Sequence, residues 1–326
     1  TGNTADYRSS VSRFFKNEPS GRLIEDTNQD IIGLKASSLK FMDLDNDGDQ
    51  DLIVSGWSVL ENNLVTKIYQ NEPLGTYVEL AIDELHAVAY GDIDAVDIDH
   101  DGYLDISISG VDSVSNFATR VHSLSGKVYK NEGSFNFTEL FDIPGARILR
   151  FADLNRDLKP DIISNGTTDL KDPQSSFTGV YLNDTNFSNS PPNAPTSLTS
   201  FAVSTRAIFT WGSGSDQIDS DASLRYNVKI GTSSGGYDLL SPSFEYSSAN
   251  IGQRLIKEFN QIPHGTYYWS VQTVDGTGMT SAWSEEDTLF ISRLVTSTQS
   301  LPGVYFSSAG WADYNNDGEL DLSLTG

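Results

Sequence analysis

The sequence contains no cysteine, which excludes disulfide bonds and thiolate metal sites. Basic residues are also few, since 21 Lys and Arg stand against 45 Asp and Glu and the formal net charge is −24. Such a charge argues against nucleic acid or an anionic membrane as a partner. No apolar run approaches the roughly 20 residues that cross a bilayer, so membrane insertion is not expected.

Residues that form strands and turns are plentiful. The chain of 326 residues includes 27 glycines, and 37 % of its residues are hydrophobic. This composition is typical of a folded, β-rich protein rather than a disordered chain. The length suffices for one large domain or two to three ordinary ones, and almost no segment has helical periodicity.

One acidic segment occurs four times, as FMDLDNDGDQDLIVSG, AVDIDHDGYLDISISG, FADLNRDLKPDIISNG and WADYNNDGELDLSLTG. We call residues 43–51, 97–105, 153–161 and 313–321 of these segments loops one to four. Their first aspartates are 54, 56 and 160 residues apart, and counting from Asp313 through the C-terminus back to Asp43 gives 56. We interpret the long gap as one ordinary period plus an inserted domain.

Each loop is followed by a short apolar run, a polar turn and a second alternating segment, such as TKIYQNE at 66–72 or GKVYKNE at 126–132. A third short segment follows, such as residues 77–80. These signals predict about four antiparallel strands in each period of about 55 residues. A repeat of this size must pack on its neighbours, and radial packing of four-stranded sheets gives a β-propeller.

Residues 191–292 interrupt this rhythm and begin with a proline-rich linker. The predicted strands of this insert are Ala207–Trp211, Arg225–Ile230, Gly265–Val274 and Thr288–Ser292, and the predicted core residues are Trp211, Tyr226, Tyr267 and Trp269. The insert resembles a fibronectin type III domain, with Tyr267 in place of that family's corner tyrosine. The sequence therefore predicts an all-β chain in three parts: repeats in 1–190, a β-sandwich in 191–292 and a further repeat in 293–326.

The loops carry oxygen donors at alternate positions and, in three cases, a glycine at position 6. Hard cations such as Ca²⁺ bind six to eight oxygens, and a glycine permits the sharp reversal that brings them together. The predicted ligands, with the seventh residue giving its main-chain carbonyl, are Asp43, Asp45, Asp47, Asp49 and Asp51 in loop one, Asp97, Asp99, Asp101, Tyr103 and Asp105 in loop two, and Asp313, Asn315, Asp317, Glu319 and Asp321 in loop four.

Loop three departs from this pattern because Leu158 stands where the glycine belongs, and Arg156 and Lys159 lie inside the loop. Its candidate ligands are Asp153, Asn155, Asp157 and Asp161. A leucine there requires either a strained left-handed residue or a different turn. We expect loop three to bind Ca²⁺ weakly or to be held by its basic side chains instead. The alternative for all four loops is a polar turn without an ion.

The pattern D-x-D-x-D-G-x-x-D between strands resembles the FG-GAP or VCBS repeat of integrin α-subunit propellers and of bacterial, Bacteroidetes-like cell-surface proteins. The resemblance implies calcium-stabilised propeller repeats. Extracellular Ca²⁺ sites bind at roughly 10⁻⁴–10⁻³ M and would stay mostly empty in the cytosol, which favours a secreted location. The period across the termini is compatible with a small closed ring or with one unit of a tandem array or filament.

No catalytic set is evident. The four histidines, including His100 in loop two, have no metal-ligand spacing and are expected at the surface, and the GTSSG segment at 231–235 lacks the strand-to-helix context of a nucleophile elbow. We expect a non-enzymatic structural or adhesion module, with a protein, a glycan or copies of itself as partners. The alternatives are an enzyme that uses a bound cation and a glycan-binding accessory region of a secreted carbohydrate-active enzyme, in which Trp57, Tyr103 and Trp283 stack on sugars.

Overall fold

The computed structural model describes residues 2–3, 10–17, 22–72, 75–82, 85–114, 122–168, 173–203, 205–243, 246, 249–292, 300–301, 303–315 and 321–326. The described chain is all-β apart from one short 3₁₀ helix, Pro173–Ser175. No helix among these residues has the length and apolar character needed to cross a membrane. Two compact units, Thr1–Ile291 and Ser292–Gly326, make up the chain.

The repeats of the larger unit form successive antiparallel sheets. The N-terminal pairs are β1 (Gly2–Asn3) with β2 (Ser10–Val11) and β3 (Phe14–Asn17) with β4 (Leu23–Asp26). The first four-stranded sheet contains β5 (Leu34–Met42), β6 (Asp51–Ser58), β7 (Asn63–Glu72) and β8 (Thr76–Glu79). The second contains β9 (Ala89–Val96), β10 (Asp105–Val114), β11 (His122–Asn131) and β12 (Phe137–Pro144), and the third contains β13 (Ala146–Ala152), β14 (Asp161–Thr167) and β15 (Ser176–Tyr181).

Neighbouring sheets pack face to face through the apolar positions of their strands. Ile53 and Ile68 of the first sheet share one core with Ile106 and Ile108 of the second. Val128 of the second sheet shares another core with residues of the third, including Leu149 and Ile162. Because each sheet covers its neighbour, the repeats bury apolar faces that a single repeat of this size would leave in water.

The prediction of four strands per period holds for the first two sheets but is wrong for the third, which has three in the described residues. After β15 the chain enters a segment rich in Asn, Ser and Pro, and Pro191, Pro192 and Pro195 have no N–H to give to a strand ladder. The described sheets do not form a closed ring, so closure into a propeller stays a prediction.

The inserted segment folds as two three-stranded sheets packed on each other. One sheet has the order β16 (Thr199–Val203), β17 (Arg206–Thr210), β19 (Ile256–Phe259), and the other has the order β18 (Arg225–Gly231), β20 (Gly265–Val274), β21 (Asp287–Ile291). The predicted core residues Trp211, Tyr226, Tyr267 and Trp269 are all buried between the sheets. The strands β16 and β19 were not expected from the sequence.

The smaller unit contains one described hairpin, β22 (Ser308–Ala312) with β23 (Asp321–Thr325). Its aromatic side chains are mostly in solvent, and Trp311 is 65 % exposed. Loop four connects these two strands, and its residues 316–320 lie outside the described residues.

Candidate metal centres

All four acidic loops connect the two strands of a hairpin in the same register. The residue before position 1 pairs with the aspartate at position 9, giving Met42 with Asp51, Val96 with Asp105, Ala152 with Asp161 and Ala312 with Asp321. The strand pairing thus fixes both ends of each loop, and the eight residues between them must reverse the chain.

The reversal uses left-handed backbone at positions 4 and 6. Position 4 has a φ of 61° at Asn46 and His100 and 64° at Arg156. Position 6 has a φ of 93° at Gly48, 92° at Gly102 and 70° at Leu158. Loop three therefore keeps the backbone path of loops one and two. Of the two alternatives expected for Leu158, the strained left-handed residue is the one observed.

The first aspartate of loops one to three accepts hydrogen bonds from the backbone of its own turn. Asp43 accepts from the Gly48 N–H at 3.1 Å, and Asp97 accepts from the N–H groups of Asp101 and Gly102 at 3.1 and 2.8 Å. Asp153 of loop three accepts in the same way from Arg156, Asp157 and Leu158. These bonds hold each loop from within.

The aspartate at position 9 of loops one to three is fully buried and accepts two backbone N–H groups. In loop one, Asp51 accepts from Leu44 at 3.0 Å and from Asn71 at 2.9 Å. The equivalent pairs are Ile98 and Asn131 on Asp105, and Leu154 and Asn183 on Asp161. Asp321 of loop four accepts from Tyr314 at 3.2 Å. In loops one to three, position 9 therefore ties the loop to the end of the third strand of its own sheet or to the residues just after that strand.

The sequence analysis missed the asparagine at the end of that strand, or just after it, as a functional residue. Asn131 donates through its side chain to the carbonyl of Leu44 in loop one at 2.8 Å, and Asn183 donates to Ile98 in loop two at 2.8 Å. Each of these asparagines therefore links a loop to the loop of the preceding repeat. The signal was present, because QNE, KNE and LND recur in register at the ends of the second alternating segments.

Carboxylates converge in two of the loops. Asp43, Asp45 and Asp51 each offer one oxygen within 4.8 Å of the others, and so do Asp97, Asp99 and Asp101. The other candidate ligands of these loops, Asp47, Asp49, Tyr103 and Asp105, are not part of the two groups. Loop three, although fully described, has no such group of three, and its Asn155 and Asp157 are exposed.

Burial makes the converging carboxylates costly to ionise. It raises the pKa of Asp43 to about 6 and that of Asp51 to about 7. In loop two, burial raises the pKa of Asp97 and of Asp105 to about 8. One oxygen of Asp43 and one of Asp99 are buried without a hydrogen-bond partner among the described residues. Such orphaned carboxylate oxygens are the donors that a hard cation takes.

The two convergent loops differ in the side chain that the third strand sends to them. Gln70 of β7 donates to Asp45 at 2.8 Å in loop one. At the equivalent position of β11, the ammonium of Lys130 contacts Asp99 and lies 2.8 Å from Asp101 in loop two. Partial burial opposes the charge of Lys130, but its hydrogen bonds to Asp101 and Asp99 raise its pKa overall.

The sandwich also touches both loops. Gln253 donates to the carboxylate of Asp43 and accepts from Gln50 at 2.6 Å. The N–H of Asp97 donates to the carbonyl of Gly276 at 3.0 Å. The insert is therefore seated on the face that carries the acidic loops.

Among the described residues, no ion pair joins the basic side chains of loop three to its carboxylates, in contrast to Lys130 at loop two. Lys159 donates to the carbonyl of Thr185 and lies 5.4 Å from the ring centre of Phe187. In loop four, Asp313 is half-buried and Asn315 is exposed, and the predicted ligands Asp317 and Glu319 lie outside the described residues.

The aromatic residues considered for glycan stacking are not exposed. Trp57, Tyr103 and Trp283 are each half-buried. The ammonium of Lys229 lies over the ring of Trp283, 4.5 Å from its centre. A side chain placed on Gly133 would contact Tyr103, with Cβ 2.9 Å from the ring. Trp283 and Tyr103 therefore each have a neighbour against the ring, and none of the three is an exposed aromatic residue.

One comparison with known proteins supports the repeat. A family model described as an FG-GAP-like repeat matches residues 43–108, from loop one into β10, and this confirms the expected repeat type for that segment. No curated protein sequence matches the chain. Among solved structures, the crystal structure of the V. cholerae biofilm matrix protein Bap1 is similar at 13 % identity with a TM-score of 0.25, over 74 % of this chain and 60 % of that chain.

Proposed function

We propose that this chain is a non-enzymatic, calcium-stabilised structural or adhesion module of an extracellular bacterial surface protein. Its FG-GAP-type repeats serve as blades of a β-propeller, and residues 191–292 serve as an inserted fibronectin type III-like domain. The ions hold the blades in shape, and the folded module presents or spaces binding surfaces outside the cell. The partner is a protein or glycan on another surface, or further copies of the same unit in an array or filament.

The observation that carries this proposal is the convergence of buried carboxylates in loops one and two. Three carboxylate oxygens within 4.8 Å of one another repel each other unless protons or cations are added. One oxygen of Asp43 and one of Asp99 have no hydrogen-bond partner among the described residues. A divalent cation bound by these oxygens would remove both the repulsion between the carboxylates and the lack of partners for the buried oxygens. Ca²⁺ tolerates the irregular geometry of a flexible loop.

The residues that would hold Ca²⁺ follow from these groups. Asp43, Asp45 and Asp51 form the nucleus of the site in loop one, and Asp97, Asp99 and Asp101 form that in loop two. Loop four keeps the spacing with Asp313, Asn315, Asp317, Asp321 and the carbonyl of Glu319, and we propose it as the third site. Loop three is the doubtful fourth, because its carboxylates are more exposed and do not converge.

The bound ion would act on stability rather than on a reaction. It neutralises carboxylates that already fold the turn and tie it to the neighbouring strand, so it rigidifies the end of each hairpin. An ion at ten times its dissociation constant stabilises the fold by about 1.4 kcal/mol for each site. The same affinity range leaves the sites mostly empty in the cytosol, which supports an extracellular role.

Two features support the propeller. The first strands of successive sheets lie side by side, since Lys40 of β5 contacts Asp94 of β9, and Arg150 of β13 lies 2.9 Å from Asp92 of β9. The side chains of Asn131 and Asn183 make equivalent hydrogen bonds, each to the loop of the preceding sheet. Such a recurring arrangement of each sheet on the one before it is what relates the blades of a propeller.

The sheet orders support the fibronectin-like insert. One sheet has the strand order β16-β17-β19 and the other has the order β18-β20-β21. The two sheets enclose one apolar core, as in an immunoglobulin-like sandwich. Tyr267, near the start of β20, donates its hydroxyl to the carbonyl of Pro263 at 2.9 Å. This return to the backbone just upstream is the bond of a tyrosine corner.

The test is thermal unfolding of the chain in a Ca²⁺ titration, with EGTA and Mg²⁺ as references and light scattering for size. We expect a calcium-specific rise in melting temperature, reduced in Asp43→Asn and in Asp97→Asn. The matched control is Asp221→Asn, which changes an exposed carboxylate outside the loops. A compact monomer favours repeats closed on themselves, and oligomers that grow with Ca²⁺ favour an array. An unchanged melting temperature would contradict the calcium role.

A further inference from the structure

His100 is buried rather than at the surface, which corrects the expectation from the sequence. Only 9 % of this residue is exposed, although it occupies a position of loop two that carries no ligand in the calcium pattern. Its ring packs edge-on against Phe187, with centroids 5.2 Å apart. Two aspartates of the sandwich, Asp216 and Asp219, join it in a cluster where one ligand atom from each residue lies within 4.8 Å of the others.

Two atoms of this cluster have no partner among the described residues. The Nε2 atom of His100 and the Oδ1 atom of Asp219 are both buried and make no hydrogen bond. Asp219 is only 5 % exposed. A buried imidazole nitrogen and a buried carboxylate oxygen are rarely left unsatisfied, so the presence of both in one cluster indicates a missing binding partner.

We propose that His100, Asp216 and Asp219 form a transition-metal site of the Zn²⁺ class that fastens the sandwich to loop two. The donor set is one imidazole nitrogen and two carboxylate oxygens. Imidazole suits Zn²⁺ and related ions, whereas Ca²⁺ prefers oxygen alone. Three protein ligands leave a fourth position of a tetrahedral ion for water.

The site requires little rearrangement. Bonds of about 2.0–2.2 Å to a tetrahedral ion place ligand atoms about 3.3 Å apart, so atoms now within 4.8 Å need only small side-chain movements. Asp216 is held by accepting from the N–H groups of Ile218 and Asp219 at 2.8 and 3.2 Å. Asp219 is held by accepting from Gly276 through its other oxygen at 3.2 Å.

Close approach of the two domains at this point depends on Gly276. A Cβ on this residue would lie 2.7 Å from Oδ1 of Asp219 and 3.0 Å from Cβ of Asp97. The carbonyl of Gly276 also accepts from the N–H of Asp97 at 3.0 Å. The sandwich and loop two are therefore in contact through main chain, and a bound ion would add a second connection beside it.

Electrostatics favour a cation here. Burial, with smaller contributions from Asp275 and Asp216, raises the pKa of Asp219 to about 6, while Arg225 opposes this change. The net environment of Asp219 thus disfavours its negative charge, and a divalent ion bound to it would reverse that preference. This inference stands on residues outside the calcium ligand set and does not depend on the proposed calcium function.

The test is a Zn²⁺ titration of the full chain against a chromophoric chelator, with and without saturating Ca²⁺, and with Co²⁺ absorption as a report of nitrogen and oxygen ligation. We expect one site whose affinity falls about 100-fold or more in His100→Asn and in Asp219→Asn, because each removes a ligand. Asn46 adopts the left-handed conformation of His100 at the same position of loop one, so His100→Asn keeps the backbone. Matched controls are His264→Ala and Asp221→Asn, which change exposed residues of the sandwich.

Equal Zn²⁺ affinity in the wild type and both variants would overturn the proposal. So would a loss of Ca²⁺ rather than Zn²⁺ affinity in Asp219→Asn, since the aspartate would then belong to the calcium site of loop two. If His100→Asn disturbs loop two, which circular dichroism would reveal, Asp219→Asn decides alone because it lies outside the loop. Zn²⁺ binding without any calcium response would leave this proposal intact and reject the calcium function instead.

Discussion

Loops one and two follow the same backbone path but meet different groups from the adjacent strand. In loop one, the neutral amide of Gln70 donates to Asp45. In loop two, the ammonium of Lys130 contacts Asp99 and Asp101. An amide can stay beside a bound cation, whereas an ammonium group competes with it for the same oxygens. Two copies of one motif can thus differ in affinity without any difference within the motif.

Loop three extends the comparison. It keeps the left-handed residues and the hydrogen bonds of its first aspartate, yet its carboxylates do not converge, and Asp153 is only half-buried where Asp43 and Asp97 are buried. The turn itself is therefore not sufficient for a cation site. Burial by neighbouring sheets and by the sandwich concentrates the carboxylates in loops one and two.

The largest effect we expect is on the pH dependence of stability without calcium. Asp43 and Asp51 of loop one have pKa values raised to about 6 and 7, and Asp97 and Asp105 of loop two have values raised to about 8. All these pKa values lie above the value of about 3.9 for an unfolded aspartate. Between about pH 3.9 and the raised values, the folded state therefore holds more protons than the unfolded state. The contribution of these four carboxylates to stability in EGTA should be fully present below about pH 4 and be lost as pH rises to about 8.

Melting temperatures in EGTA and in Ca²⁺ between pH 5 and pH 8 check this dependence. Because calcium displaces protons, its stabilising effect should grow with pH. Since the carboxylates of loop two hold protons to higher pH, loop two should also release calcium at higher pH than loop one. A melting temperature in EGTA that rises over this range would show that the buried carboxylates are already ionised without an ion.

The second largest effect we expect is the loss of stability on removing the asparagine that links neighbouring loops. Asn131 is fully buried and bonds two carbonyl groups, Leu44 at 2.8 Å and Leu104 at 3.2 Å. Asn131→Ala leaves these carbonyls without that donor, and we expect the free energy of unfolding to fall by about 3 kcal/mol. Asn183→Ala, at the half-buried equivalent, should cost less. Urea unfolding of both variants measures the difference, and equal small losses would show that the link is dispensable.

The exchange of Gln70 and Lys130 tests the comparison of loops one and two directly. Lys130→Gln removes a competing charge, and we expect calcium affinity at loop two to rise about fivefold, which corresponds to the roughly 1 kcal/mol at the upper end of the range for a partly exposed ion pair. Gln70→Lys should lower the affinity of loop one by a similar factor. Calorimetric titrations of the two single variants check this, with Lys67→Gln on β7 as a charge control. Unchanged affinities would mean that the strand residue does not influence the ion.

The smallest effect concerns the backbone of loop three. Leu158 has a φ of 70°, and Leu158→Gly should stabilise the chain by about 1 kcal/mol by relieving the left-handed conformation. Gly48→Ala in loop one is the converse control, because no atom lies within 4 Å of the added Cβ and the cost would come from the backbone alone. Denaturant unfolding measures both. Destabilisation by Leu158→Gly would show that the leucine side chain contributes more by packing than it costs in strain.

Periodicity in the sequence was enough to predict the hairpins and the register of the loops. The alternation in TKIYQNE and GKVYKNE located β7 and β11, and the aromatic residues of the insert located its core. Local pattern could not predict the missing fourth strand of the third sheet, because that depends on where the chain leaves for the linker.

The sites were predicted less completely than the fold. The spacing identified Asp43 and Asp97, but it gave the same weight to Asp47 and Asp49, which are exposed. The cluster of His100 with Asp216 and Asp219 joins residues more than 100 positions apart in the sequence. No local spacing in the sequence predicts this cluster, because it forms only when the sandwich packs against loop two.

The most direct test of the central claim is a crystal structure grown in Ca²⁺, with an anomalous difference map collected at a long wavelength. We predict ordered calcium peaks within loops one and two, bound by Asp43, Asp45 and Asp51 and by Asp97, Asp99 and Asp101, a third peak in loop four, and a weaker peak or none in loop three. Maps without peaks in loops one and two, at millimolar Ca²⁺, would contradict the account.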